Sequence, residues 1–164
     1  MPKERLLHHV IISVFCKAYE RKEEVLAGLD LLSPKPTAEL LALEKEYDPE
    51  RPHTIHYRAK DITLTVQETE SDDGTMTIYT LFFRGLHDTS VFAKRMRDVL
   101  PERSDPLSFL DEEGRIVLRF GKRDLMRGKL VLSPTGDCYL AKSTVAAYPK
   151  TPERIEAVAR RILG

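Results

Sequence analysis

The pair Asp73-Gly74 separates two stretches in which apolar and polar side chains alternate, and this predicts a β-hairpin in the middle of the chain. Within Ile55 to Thr69, Ile62, Leu64 and Val66 fall on one face and Thr63, Thr65 and Gln67 on the other. That is the period of a half-buried strand. Ser71-Asp72-Asp73-Gly74 supplies the turn, with glycine taking the positive φ that tight hairpins need. Met76 to Arg84 returns as the partner strand, carrying Ile78, Tyr79, Leu81, Phe82 and Phe83. Whatever else the chain does, it must build a sheet around this pair.

Other stretches supply more strands and the helices to cover them. Leu6 to Lys17 is rich in β-branched residues and apolar on both faces, as a central strand is. Glu20 to Leu32 places Val25, Leu26, Leu29 and Leu32 on one helical stripe, and Ser33-Pro34-Lys35-Pro36 ends it. Thr37 to Tyr47 reads as a helix with Thr37 at its cap, although the same leucines would also suit an extended segment. After Gly85, one of Asp88, Thr89 or Ser90 caps a helix reaching Leu100, with Phe92, Met96, Val99 and Leu100 buried. Pro101 to Gly114 reads as a loop with a short turn near Leu107 to Leu110. Ile116 to Phe120, Lys129 to Leu132 and Cys138 to Tyr148 read as strands, with one or two helical turns at Gly121 to Arg127 ended by Gly128. Thr151-Pro152 opens a last helix striped by Ile155, Val158, Ala159 and Ile162. The expected fold class is α+β: one domain over 1–164, a mixed or mostly antiparallel sheet with about three helices packed on it.

Charge narrows the partners. The 164 residues carry 26 Lys and Arg against 26 Asp and Glu, so no global field draws the chain to nucleic acid or anionic lipid. The halves differ, however: residues 1–83 hold 10 basic and 15 acidic residues, residues 84–164 hold 16 and 11. Arg115 to Lys129 holds six basic residues and a single acid, Asp124. Such a local field is a mild pointer to a nucleic-acid face. The competing reading is an ordinary solvated surface.

Several chemistries find no support. No apolar run approaches the roughly 18 residues a membrane span needs. The basic, apolar N-terminus lacks a small-residue cleavage site and reads as a strand, so a cytoplasmic protein is expected. Cys16 and Cys138 sit in strands and read as buried, reduced thiols, with a disulfide only if their strands are neighbours. His8 and His9 are adjacent, so in a strand they face opposite ways and do not chelate one metal together. His53 and His56 make an H-x-x-H pair with no further ligands at matching spacing. No phosphate loop, zinc-protease motif or nucleophile elbow is present, and no metal, cofactor or catalytic activity is expected.

Three segments resemble a known family. They are His8-His9-Val10 running into Ile12-Ser13-Val14-Phe15; Arg119-Phe120-Gly121-Lys122-Arg123; and Gly136-Asp137-Cys138 leading to Val145-Ala146-Ala147-Tyr148-Pro149-Lys150. Together they resemble the archaeal RNA-binding-domain family described as predicted exosome subunits, with order and length matching over 6–163 and the middle, about 35–75, only loosely similar. The resemblance implies a fold like that of the ribosomal protein that holds 5S RNA, in an archaeal, cytoplasmic protein without a cofactor. This chain departs from the family pattern at Ile11, where an acid is usual, and at Gly121-Lys122-Arg123, where Asp-Lys-Gln is usual.

The leading expectation is therefore a non-catalytic accessory protein of archaeal RNA processing that contacts RNA phosphates. Arg119, Lys122, Arg123, Arg127 and Lys129 are the candidate residues, with Lys94 and Arg95 as additions. Tyr79, Tyr139 and Phe83 would stack on bases where exposed. RNA and subunits of an RNA-processing complex are the expected partners. The alternative is a homodimeric protein-interaction module that does not bind RNA, its apolar first and last strands extending a sheet between chains.

Overall fold

Period-two alternation builds a single sheet, and helical stripes cover one side of it. The computed structural model describes residues 4–101, 105–133 and 136–164. In chain order the elements are β1 (Leu7–Cys16), α1 (Lys22–Asp30), α2 (Thr37–Leu41), β2 (Lys45–Tyr47), β3 (Thr54–Ala59), β4 (Ile62–Ser71), β5 (Gly74–Phe83) and α3 (Leu86–Val99). A 3-10 turn at Pro106–Phe109 leads to β6 (Arg115–Gly121), α4 (Lys122–Met126), β7 (Cys138–Val145) and α5 (Pro152–Leu163). The seven strands lie in the order β2-β3-β4-β5-β1-β7-β6, and every pairing is antiparallel. The α+β class expected from the sequence is the class observed.

Register explains the core. Tyr57, Leu64, Leu81, Ile12, Ala141 and Leu118 stand opposite one another across six adjacent strands and form one buried row. A fully buried Leu or Ile in such a row stabilises the fold by about 2 kcal/mol relative to exposure. The helices pack over this inner side. Val25 and Leu29 of α1, Phe92 and Met96 of α3, and Val158 and Ile162 of α5 all join the same core. Gly28 lets α1 approach closely: a Cβ there would lie 2.2 Å from the Tyr139 hydroxyl, which donates to the Val25 carbonyl at 2.5 Å. The α5 cap follows its sequence signature, with Thr151 Oγ1 accepting from the Arg154 N–H at 3.3 Å and Pro152 beginning the first turn.

Four local expectations change. Ile55 to Thr69 is two strands, folded back at Lys60-Asp61, where Asp61 adopts φ 62°. No glycine marks that turn, so alternation alone ran through it. Thr37 to Tyr47 divides into the short helix α2 and the edge strand β2, and Thr37 is the first helical residue, its N–H donating to Asp30 Oδ1 at 2.7 Å. Helix α3 starts at Leu86, before the expected cap: Thr89 and Ser90 hydroxyls bond back to the Gly85 and Leu86 carbonyls instead of capping. Lys129 to Leu132 is no full strand; it contributes an isolated bridge, Leu132 to Phe120.

Candidate nucleic-acid interface

The side of the sheet opposite the helices is open. Its centre carries His9, Ile11, Ser13 and Phe15 of β1 and Ile78, Thr80 and Phe82 of β5, all half-buried except Phe15, which is 49% exposed. Next to β1, strand β7 presents Leu140, Lys142 and Thr144, and beyond it β6 presents Arg115, Val117 and Arg119. On the other flank lie Thr63, Thr65 and Gln67 of β4, then His56 and Arg58 of β3.

Charge on this side is lopsided. By register, none of β1, β4, β5, β6 or β7 turns a carboxylate to the open side. Among strand residues, the acid that faces it is Glu46 on β2, which pairs with Arg58 at 3.0 Å, and the loop acids Asp48, Asp61, Asp111, Glu112 and Glu113 border the rim. Arg115 is held by Asp111 at 2.9 Å and Glu113 at 3.2 Å. Among the described residues, Lys142 and Arg119 form no ion pair. A basin of about 440 Å³ on this side is lined by His56, Arg58, Thr63, Thr65, Phe82 and Arg84, with Arg84 paired to Asp61 at 3.0 Å.

The sequence-derived candidates are distributed over several surfaces. Arg119 points outward from β6 onto the open side. Arg123 and Arg127 are exposed on and just after α4, and Lys129 is exposed beyond them. Lys94 and Arg95 are exposed on α3, in the helical layer behind the sheet, and Arg95 donates to the Leu31 carbonyl. Lys122 must be corrected: it is 4% exposed and does not reach a ligand. Its three ammonium protons are consumed by the Phe15 carbonyl at 2.5 Å, Glu20 Oε1 at 2.6 Å and Asp137 Oδ2 at 3.0 Å. The ring candidates are corrected too. Tyr79, Tyr139 and Phe83 lie on the inner side of their strands and are buried. Burial pushes the Tyr79 phenol up to about 12 and that of Tyr139 further still.

Residues that sequence reasoning passed over take their place. Lys142 stands midway along β7 on the open side, flanked across strands by Ile11 and Val117. Strict alternation in β7, with Tyr139, Ala141, Ser143 and Val145 inward, would have singled it out. His9 packs its ring on Phe82 with centroids 5.4 Å apart and bonds Thr144 Oγ1 at 3.0 Å. Burial, then the nearby His8 and Arg115 charges, holds its imidazole below the usual histidine value. His8 is the extra residue of a β-bulge between Leu7 and His9.

One other polar cluster is structural in form. His56 bridges Asp48 Oδ2 and Thr65 Oγ1, each at 2.8 Å, and so fastens the 48–53 loop against β3 and β4. The His56 hydrogen bond, then the Arg51 and Glu50 amides, holds the Asp48 carboxyl well below the usual carboxylate range. Cys16 and Cys138 are free thiols. Cys16 points into the core, whereas Cys138 follows Leu140 and Lys142 on the open side, so the two do not meet. Among the described residues no group of three or more potential ligands could hold a metal ion, and no helix is long and apolar enough to cross a membrane.

No family model and no curated protein matches the sequence. Solved structures do share the fold. One is Mth689, a DUF54 protein from Methanothermobacter thermautotrophicus, with a TM-score of 0.69 at 19% identity over 97% of this chain and 99% of that one. Another is the DUF54 protein AF2318 from Archaeglobus fulgidus, with a TM-score of 0.67 at 18% identity over 95% and 99%. At these identities the likeness is one of fold, shared with these archaeal proteins over nearly the whole length of the chain.

Proposed function

We propose that this chain is a non-catalytic RNA-binding accessory protein of archaeal RNA processing, and that it meets RNA phosphates on the open side of its sheet. One observation carries the reading: a chain with equal numbers of acids and bases keeps carboxylates off the outward positions of β1, β4, β5, β6 and β7, while Lys142 and Arg119 stand there with no ion pair among the described residues. Cations without partners attract polyanions and give salt-dependent binding. Arg123, Arg127 and Lys129 add exposed cations past the end of β6, on and after α4, which packs against α1. Association with an RNA-processing assembly rests on the sequence resemblance.

The test is a fluorescence titration of RNA at low and moderate salt, using wild type and a Lys142→Glu/Arg119→Glu double variant checked for folding by circular dichroism. Salt-sensitive binding by wild type that is lost in the folded variant is the expected result. Absence of binding even at low salt would remove the reading.

A homodimeric module is the second reading. Strand β1 lies between β5 and β7, and β7 between β1 and β6, so neither is an edge that could extend a sheet between chains. It is the apolar Ile11, Ile78, Phe82, Leu140 and Val117 on the same side that favour a dimer, face to face. Seven strands at ~4.8 Å spacing make a face of a size that stable dimers use. A two-fold dimer through that face, however, sets like patch on like patch. The unpaired Lys142 and Arg119 of both copies would be confined in one interface, which opposes association.

A further inference from the structure

We infer that the ligand of the open sheet is single-stranded RNA, whose bases stack on the rings of β1 and β5; this rests on the RNA-binding reading and narrows it. The observation behind it is separate from the charge. The middle of the sheet is aromatic and aliphatic, and the cations flank it. Along one cross-strand row stand Arg58, Thr63, Phe82, Ile11, Lys142 and Val117. Phe82 and Lys142 are two strands apart, about 10 Å. Phe15 lies four residues along β1 from Ile11, about 13 Å away. In the turn after β1, the exposed Tyr19 ring sits 5.9 Å from the Lys17 ammonium.

A duplex hides the faces of its bases and offers phosphates and ribose hydroxyls. Laid on this sheet, it would press Phe15, Ile11, Ile78 and Leu140 against groups that need water or a hydrogen-bond donor. Unpaired bases present apolar faces to rings and leave their backbone to track the cations, which is how proteins hold single strands without reading sequence. The hydroxyl of Thr63 lies between Phe82 and Arg58 and that of Thr144 between His9 and Arg115, and a hydroxyl can both donate and accept. The sheet lacks the RNP sequence signature, so this platform is defined by geometry and not by that motif.

Phe15→Ala is the decisive variant, because the ring is 49% exposed and its removal leaves the core intact. Affinities of wild type, Phe15→Ala and the Lys142→Glu/Arg119→Glu variant would be measured on a ten-nucleotide uridine oligomer and on a blunt duplex RNA. Light scattering would report the oligomeric state of each protein. The expected result is tighter binding of the oligomer than of the duplex, with Phe15→Ala weakening only the oligomer, by about tenfold. The charge variant would weaken both. Equal affinity for the two RNAs, or an oligomer affinity unchanged by Phe15→Ala, would overturn the single-strand inference and leave RNA binding standing. Failure of both RNAs to bind at low salt, alongside a dimer that Phe15→Ala dissociates, would overturn both and assign the face to a second copy.

Discussion

Lys122 Nζ lies 2.6 Å from Glu20 Oε1, joining α4 to the turn that follows β1. The same ammonium reaches the Phe15 carbonyl and Asp137, so one side chain ties together the end of β1, the start of β7 and α4. Removing it would strand a largely buried carboxylate and a carbonyl. Lys122→Met is therefore expected to destabilise the protein by about 3 kcal/mol, measured by urea unfolding. A loss below about 1 kcal/mol would show that solvent or Lys17, which lies 3.3 Å from Asp137, replaces the ammonium. RNA affinity of the variant, under conditions where it remains folded, should match wild type.

The approach of Gly28 to Tyr139 gives a second expectation. Alanine normally improves a helix by about 1 kcal/mol over glycine. Here its Cβ would meet the tyrosine oxygen at 2.2 Å and Cζ at 2.7 Å, with Tyr139 wholly buried. Gly28→Ala should therefore destabilise by about 2 kcal/mol. Adding Tyr139→Phe removes the nearest atom, and the double variant should be more stable than the sum of the single changes implies. Strict additivity in thermal or urea unfolding would contradict this packing.

Much of the fold was legible because its signals are local. The Asp73-Gly74 hairpin, the α5 cap and the α1 stripe each follow from a few neighbouring residues. The site was less so, because charge in sequence is not charge in space. Arg119 and Lys122 are three residues apart, yet one faces solvent from a strand and the other is enclosed at the start of α4. Tyr139 and Lys142, also close in sequence, stand on opposite sides of the sheet. Which side of the sheet the helices cover depends on the whole topology, and that decided which rings were free. The break at Lys60-Asp61 was missed because an aspartate, not a glycine, takes the positive φ.

Asp48 ties stability to acid pH. Its carboxylate accepts from His56 and from the Glu50 and Arg51 amides, so its folded pKa lies below the ordinary value of 3.8. A depressed acid contributes its stability fully above the unfolded pKa and loses it as pH falls through the folded one. Unfolding free energy measured below about pH 4 should therefore fall more steeply in wild type than in Asp48→Asn. Parallel pH profiles would mean that the hydrogen bonds seen at Asp48 do not distinguish its charged form.

Salt dependence separates the cations on the open side from those behind it. Each phosphate contact to a single strand adds about 0.7 to the slope of log affinity against log salt. Arg119 and Lys142 share the open side, and neither forms an ion pair among the described residues, so Lys142→Ala/Arg119→Ala should lower that slope by about 1.4. Lys94 and Arg95 are on α3, which packs on the other side of the sheet. Lys94→Ala/Arg95→Ala should leave the slope unchanged on the same oligomer. Arg123→Ala/Arg127→Ala, at the end of β6, tests how far the strand runs past the sheet: a reduced slope places phosphates beside α4. If the α3 pair lowered the slope as much as the open-side pair, the RNA would be wrapping the helical layer, and the open sheet would not be its seat.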